Sequence, residues 1–196
     1  MSDVSQAFAP VRAKLYTAVL GTDVSAIDGD TLMSGLPAFE DHGAIDLSAG
    51  YSFTPAGVPT RTVEREFWDS EIFYVSESPS DDVPTWDITF LENNVYVIQD
   101  AYGATVDENG ALVYDGGIPA HRVTVLDLAD VAAVPKTRRF IIPDTSVAIN
   151  GSINPSGQSH LEKIPIRFSA NPTTGELGVG VTGLFKMISS WLVDAS

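Results

Sequence analysis

The sequence contains no cysteine, three histidines and only 11 lysines and arginines in 196 residues. Without cysteine the chain can form no disulfide, zinc–thiolate site, iron–sulfur cluster or cysteine nucleophile, and three histidines leave little room for a histidine-based metal centre. Its 26 aspartates and glutamates give a formal charge of −15. A protein that holds nucleic acid by its phosphates needs a concentrated basic surface, so tight binding of a phosphate backbone is not expected.

The composition is that of a globular protein, because 44% of the residues are apolar and only 19% are charged. The N-terminus lacks the apolar run of a signal peptide. The longest C-terminal apolar patch, Leu184 to Val193, has about half the length that crosses a bilayer. We therefore expect synthesis in the cytoplasm and no membrane anchor. With no linker composition along the chain, residues 1–196 are interpreted as a single domain.

The main hydrophobic period is two, which is typical of half-buried strands. From Val11 to Val19 the apolar residues alternate with Arg12 and Lys14. The same alternation runs through 62–67 and through 85–91, where Trp86, Ile88 and Phe90 alternate with Asp87 and Thr89. Further strands are predicted at 71–76, 111–114, 122–128, 138–142, 146–149, 164–170 and 177–185. The sequence therefore predicts a mainly-β domain, a β-sandwich or β-barrel with long loops.

One segment, at about residues 92–102, predicts an α-helix beside the sheet. Val95, Ile98 and Tyr102 have helical spacing. Asn93 or Asn94 can cap the helix start, and Gly103 can supply the left-handed residue that ends it. The Asn109-Gly110 pair then predicts a hairpin turn at 107–110. Two long, turn-rich loops are expected, at 21–59 and 76–84.

Groups for catalysis are sparse. The sequence has no GxSxG, GxxxxGK or HExxH motif, so no catalytic, cofactor-binding or metal-ligating residue is predicted. His42, His121 and His160 are expected as exposed or hydrogen-bonded residues in loops and at strand ends. Asp28/Asp30 and Asp107/Glu108 are interpreted as turns rather than calcium ligands. A carbohydrate-binding or hydrolysing β-sandwich that uses a carboxylate pair and the tryptophans at 68, 86 and 191 is the alternative class, although core packing is the default for these aromatic residues.

Six phrases, in this order between about Val11 and about Gly175, resemble the major tail tube proteins of long-tailed, siphovirus-type bacteriophages. They are Gly50-Tyr51, Trp68 at the end of its strand, Ile88-Thr89-Phe90-Leu91-Glu92-Asn93-Asn94 before the helix, Tyr102-Gly103, Arg139-Phe140-Ile141-Ile142-Pro143-Asp144 and Arg167-Phe168-Ser169-Ala170-Asn171-Pro172. None is a catalytic signature, and the resemblance rests on their order. The segment 176–196 has no counterpart in it and is expected to be an extra strand or a subunit-contacting tail.

The resemblance implies a non-enzymatic virion protein with one helix flanking its β-sandwich or barrel. Homohexameric rings stack head to tail into a hollow tube that conducts the genome into the host. Its implied partners are further copies of the chain, a tape-measure protein, a tail initiator at the baseplate and a tail terminator. Double-stranded DNA passes without specific binding. A head-decoration or head-to-tail joining protein is the alternative virion component.

An acidic lumen would repel DNA, and this repulsion would explain the charge of −15 in such a tube. Glu64, Glu66 and Asp87 are therefore the lumen-facing candidates, with ordinary solvated outer-face charges as the alternative. The N-terminal arm and loop 21–59 are the candidates for subunit contacts. The glycines and short polar residues of that loop predict mobility in the monomer, cutting by protease in free protein and protection in tubes.

Overall fold

In a computed structural model, the described residues are 8, 10–47, 51–55, 60–65, 72–78, 83–91, 94–114, 121–130, 136–151, 154–155, 162–171, 175–178 and 181–190. They form one helix, a short 3₁₀ turn at Met33–Gly35 and fifteen strands. The helix is α1 (Val95–Tyr102). The strands are β1 (Arg12–Val19), β2 (Glu40–Asp41), β3 (Tyr51–Thr54), β4 (Thr60–Arg65), β5 (Ile72–Ser78), β6 (Thr85–Phe90), β7 (Thr105–Val106), β8 (Leu112–Val113), β9 (His121–Ala129), β10 (Thr137–Ile149), β11 (Asn154–Pro155), β12 (Glu162–Ala170), β13 (Gly175–Gly178), β14 (Val181–Gly183) and β15 (Lys186–Ser189).

Nine strands form one antiparallel sheet in the order β2-β1-β9-β10-β12-β6-β3, with β11 beside β12 and β15 beside β10. The long strand β10 organises this sheet. Its first half pairs with β15 and its second half with β12, and the register shifts between Ile142 and Thr145. The shift moves the inward positions from Phe140 and Ile142 to Thr145 and Val147. The two strands predicted at 138–142 and 146–149 are therefore one bulged strand.

Segment 40–46 joins the two ends of the sheet. Its first half pairs with β1, through Tyr16 opposite Asp41 and the His42 amide donating to the Leu15 carbonyl. Its second half meets β6, through a bridge between Ile45 and Phe90. The curved sheet is thereby closed on itself. The predicted mainly-β, barrel-like fold with a flanking helix is confirmed.

The inner face of the sheet forms the larger core. Its members alternate along the strands as predicted, with Trp86, Ile88 and Phe90 of β6 all at most 1% exposed. Aromatic rings dominate one part of it, where Phe140 contacts Phe53, Trp86 and Phe185 at centroid distances of 5.3–6.2 Å. The prediction that Trp86 and Phe90 belong to a packed core is confirmed.

Helix α1 begins after Asn94, whose side chain accepts a hydrogen bond from the Val97 amide, and ends at Gly103, which has φ of +59°. The predicted element and both caps are confirmed. Its buried face differs from the stripe that predicts the helix, because Val97, Asp100 and Ala101 face the core. Val95 and Tyr102 are 39% and 42% exposed.

The long loop predicted at 21–59 is interrupted by two strands, and the packing of its residues 22–39 argues against the mobility predicted for it in the monomer. The segment contributes β2 and β3 to the sheet. Its residues 22–39 cover the second face of the sheet, where Val24, Ile27 and Met33 are at most 3% exposed and form a second core. The reason is that these apolar side chains follow no regular period, so they bury a surface without a strand or helix pattern.

Two other expectations concern the chain ends. The strand predicted at 177–185 is wrong as a single element, because β13 and β14 form a hairpin there. The extra strand expected within 176–196 is β15, which pairs with β10. Of the N-terminal arm, only Phe8 and Pro10 belong to the described residues. Within the described part of the chain, no helix combines the length and apolar character needed to cross a membrane.

Candidate functional site

Of the three lumen candidates, Glu64 and Asp87 belong to the described residues. Glu64 belongs to β4, where it lies opposite Tyr74 of β5. The β4–β5 hairpin pairs with no other strand among the described residues. Asp87 lies on β6 in the nine-stranded sheet, and Glu66 lies outside the described residues. The structure therefore does not bring Glu64 and Asp87 into one sheet.

Asp87 is the centre of a row of polar residues across three strands. It lies opposite Ser52 of β3 and opposite Arg167 of β12. The Arg167 guanidinium donates from Nε at 2.6 Å and from Nη2 at 2.9 Å to the two carboxylate oxygens, and the Ser52 hydroxyl lies 3.5 Å from Oδ2. The hydrogen bonds from Arg167 hold the pKa of Asp87 below 3.8. The charge of this lumen candidate is therefore compensated within the chain.

The sheet surface around this row has mostly small side chains, and each of its charged side chains is paired within the chain. On β3, β6, β12 and the second half of β10, the residues that alternate with the core residues face outward. They are Ser52, Thr54, Thr85, Asp87, Thr89, Ser146, Ala148, Lys163, Pro165, Arg167 and Ser169. Lys163 forms an ion pair with Asp46 at 2.6 Å. We call this surface the neutral face. The predicted acidic side of the β6 strand is thus paired with a cation.

The acid sensitivity of the fold tests the Asp87–Arg167 pair. Because the pKa of Asp87 is lowered in the folded chain, the pair adds stability above the ordinary aspartate pKa and loses it as the pH falls through the folded pKa. We expect Asp87→Asn to flatten the fall of urea midpoints below about pH 4. In an Arg167→Gln background the same substitution should change little, and an equal effect in both backgrounds would contradict the pairing.

A second cluster of polar and charged side chains lies where segment 40–46 closes the barrel. His42 is completely buried, and its Nε2 lies 2.8 Å from Asp100 Oδ2 of α1. Its Nδ1 lies 3.3 Å from the Glu40 carbonyl oxygen. Arg122 of β9 donates from Nε to Asp100 Oδ1 at 3.4 Å. This enclosed triad joins segment 40–46, the helix and the sheet, which is a structural role since both ring nitrogens face protein groups.

Sequence reasoning missed this triad. His42 was expected in a loop or at a strand end, as an exposed or hydrogen-bonded residue, and it is hydrogen-bonded but fully buried. The position of Asp100 in the sequence could have indicated the triad. Asp100 lies three residues after Val97 and one before Ala101, and these spacings place it on the helix face that packs inward. A buried aspartate requires a partner, although its position does not say which one.

His121 behaves as the sequence predicts. It begins β9 with a side chain 44% exposed, and its Nδ1 lies 3.0 Å from Asp144 Oδ1 at the bulge of β10. The Asn171 amide also donates to Asp144, at 2.6 Å. The cluster ties the bulge to the ends of β9 and β12. His160 lies outside the described residues.

The acidic motifs act as turns. The Asp107 carboxylate accepts from the amides of Asn109 and Ala111, and Gly110 has φ of +79°. Asp28 accepts from the Asp30 amide and the Thr31 hydroxyl. The interpretation of both as turns is confirmed. Within the described ranges, no three His, Asp or Glu side chains are grouped as metal ligands.

Trp86 is unsuited to a carbohydrate platform, because its side chain is 1% exposed in the aromatic part of the core. Trp68 and Trp191 lie outside the described residues. No observation of the described chain therefore favours the carbohydrate-binding or hydrolysing alternative.

Membership of the phage tail tube family, for which the order of the six phrases is the evidence, stays a prediction. Compared with known proteins, the chain matches no protein-family model and no curated protein.

Proposed function

We propose that this chain is a structural virion protein, the major tail tube subunit of a long-tailed bacteriophage. Copies form hexameric rings that stack into a hollow tube, and the tube conducts the genome into the host. The ring and the tube are inferred from the resemblance of the sequence to the tail tube family. The mainly-β fold with one flanking helix is the architecture that this resemblance implies.

The observation that carries the proposal is the β4–β5 hairpin. Its strands of six and seven residues pair with each other and with no other strand among the described residues. A two-stranded hairpin by itself is at best marginally stable in water, and its edges invite pairing with another chain. A protein that assembles with copies of itself gives such a hairpin a partner.

The neutral face supports passage of DNA through the tube. In the channel wall, Asp87 and Arg167 would present a compensated pair among small polar side chains. A wall with free cations would bind the phosphates and slow the genome, whereas a neutral wall gives it no counterion site. The channel wall would then be neutral at β6, and the acidic residues of the wall would come from other parts of the chain.

Electron microscopy of the purified protein tests this function. We expect hollow filaments of stacked rings at high concentration or after addition of tail components. A chain whose residues 60–78 are replaced by a short Gly-Ser linker is the matched control, and it should fold without forming tubes. A wild-type protein that stays monomeric under all these conditions would overturn the proposed function.

A further inference from the structure

Three polar side chains meet at the bulge of β10 in an arrangement that hydrogen bonds alone do not satisfy. His121 Nδ1 lies 3.0 Å from Asp144 Oδ1 and 3.0 Å from Asn171 Nδ2, and Asn171 Nδ2 lies 2.6 Å from the same Asp144 oxygen. An imidazole nitrogen makes one hydrogen bond, either as donor or as acceptor. Only one of the two contacts of His121 Nδ1 can therefore be a hydrogen bond. With an ionised carboxylate, the other contact places two donors or two acceptors together.

We call His121, Asp144 and Asn171 the bulge triangle, and the backbone holds its three corners in place. His121 lies opposite Ser146 in the pairing of β9 with β10. Ser146 in turn lies opposite Ser169 of β12, two residues before Asn171. The Asn171 backbone amide donates to the Asp144 carbonyl oxygen at 3.0 Å. The sheet therefore fixes the backbone at all three corners, which is the rigid support that a ligand site requires.

The spacing of these three atoms matches that of neighbouring ligands around a metal ion. With bonds of about 2.1 Å, adjacent ligands of a six-coordinate ion lie about 3.0 Å apart. Two sides of the bulge triangle have this length, and the third is somewhat shorter at 2.6 Å. One ion above the triangle would contact all three corners. It would also replace the unfavourable contact at His121 Nδ1 with a metal–ligand bond.

Asn171 can supply an oxygen to such an ion. Rotation of its side-chain amide by half a turn exchanges the nitrogen that faces the other two corners for the carbonyl oxygen. The Ser146 hydroxyl donates to Asn171 Oδ1 at 3.4 Å, and after the rotation it can accept from the amide nitrogen instead. Without an ion the rotated oxygen would face the Asp144 carboxylate and be repelled by it. A bound cation therefore favours the rotated amide.

We propose that the bulge triangle binds a divalent transition-metal ion such as Zn²⁺. His121 Nδ1, one oxygen of Asp144 and Oδ1 of Asn171 are its protein ligands, and water takes the remaining positions, since the His121 side chain is 44% exposed. An imidazole ligand favours Zn²⁺ over Mg²⁺ and Ca²⁺, which prefer oxygen. The ion joins the start of β9, the bulge of β10 and the residue that follows β12. The site goes beyond the proposed function and does not depend on it.

Isothermal titration calorimetry with Zn²⁺ tests the site in the full chain, purified without a histidine tag. We expect one ion per chain, no comparable binding of Mg²⁺, and a melting temperature that rises with Zn²⁺ concentration. His121→Phe removes the nitrogen ligand but keeps an aromatic ring, so it should weaken binding at least about tenfold. His160→Phe, the same change at another histidine, is the matched control and should bind like wild type. No binding at millimolar Zn²⁺, or equal affinity in wild type and His121→Phe, would overturn the inference.

Asn171→Asp distinguishes a metal ligand from a residue that only supports the bulge. The new carboxylate faces Asp144, so like-charge repulsion should lower the melting temperature of the metal-free chain. Zn²⁺ affinity should rise at least about tenfold, because a carboxylate adds a negative charge to the ligand set. Addition of Zn²⁺ should therefore restore the lost stability. A purely structural residue would give the loss of stability without the gain in affinity, and that result would overturn the assignment of Asn171 as a ligand.

Discussion

Replacing Asp100 with alanine is expected to lower the free energy of unfolding by about 3 kcal/mol. The carboxylate is 2% exposed and is the shared partner of His42 and Arg122. Its removal leaves a buried imidazole Nε2 and a guanidinium Nε without their acceptor, and it opens space beneath helix α1. Because a domain of this kind has a total stability of about 5–15 kcal/mol, such a loss is a large fraction of the whole. Urea unfolding followed by circular dichroism measures it.

Two further variants test whether the loss of stability comes from the buried triad or from the removal of any negative charge. Asp100→Asn keeps the shape and one acceptor oxygen, so its cost should be smaller than that of Asp100→Ala. Asp41→Asn alters an ion pair with Lys14 in which both side chains are about half exposed, and its effect should stay within about 1 kcal/mol. Equal effects of Asp41→Asn and Asp100→Ala would contradict the structural role of the triad.

The strands and the helix could be predicted because their residues obey local rules. Alternation places Trp86, Ile88 and Phe90 on one face of β6, and the structure buries all three. Asn94 and Gly103 define the ends of α1 by their own backbone chemistry. Each of these features is encoded within a few residues of itself, so no knowledge of the tertiary fold is needed.

The interior charges could not be predicted, because their partners are distant in sequence. His42 and Asp100 are 58 residues apart, and Asp87 and Arg167 are 80 apart. Contacts between residues so distant in sequence depend on the order of the strands in the sheet. The same holds for the buried side of α1: an amphipathic pattern gives two candidate faces, and the sheet selects the one with Val97 and Ala101.

Exposed apolar side chains on α1 and on the β7–β8 hairpin support the proposed assembly. Val95 and Tyr102 of α1 and the three residues 112–114 at β8 are each 39–67% exposed. Soluble monomers rarely expose apolar patches of more than a few hundred Å² unless the surface has a partner. The proposed tube supplies that partner in the form of another copy.

Replacing Arg139 with alanine is expected to cost about 3 kcal/mol and to release the segment that covers the second core. Arg139 donates from Nε and Nη2 to both oxygens of Asp127, at 2.6 and 2.7 Å, and from Nη1 to the carbonyls of Asp28 and Thr31. Its side chain is only 11% exposed. One guanidinium thus fastens segment 22–39 to strands β9 and β10.

Limited proteolysis of the monomer measures this release. Wild-type protein should resist cutting within 22–39, since Val24, Ile27 and Met33 are packed against the sheet. In Arg139→Ala the segment opens more often, so cleavage there should become at least about tenfold faster for a local loss of 1.4 kcal/mol or more. Arg139→Lys keeps the charge but lacks the planar fork, and should fall between the two. Equal cleavage of all three proteins would show that the apolar contacts alone hold the segment, because the exposed population follows the free energy of opening.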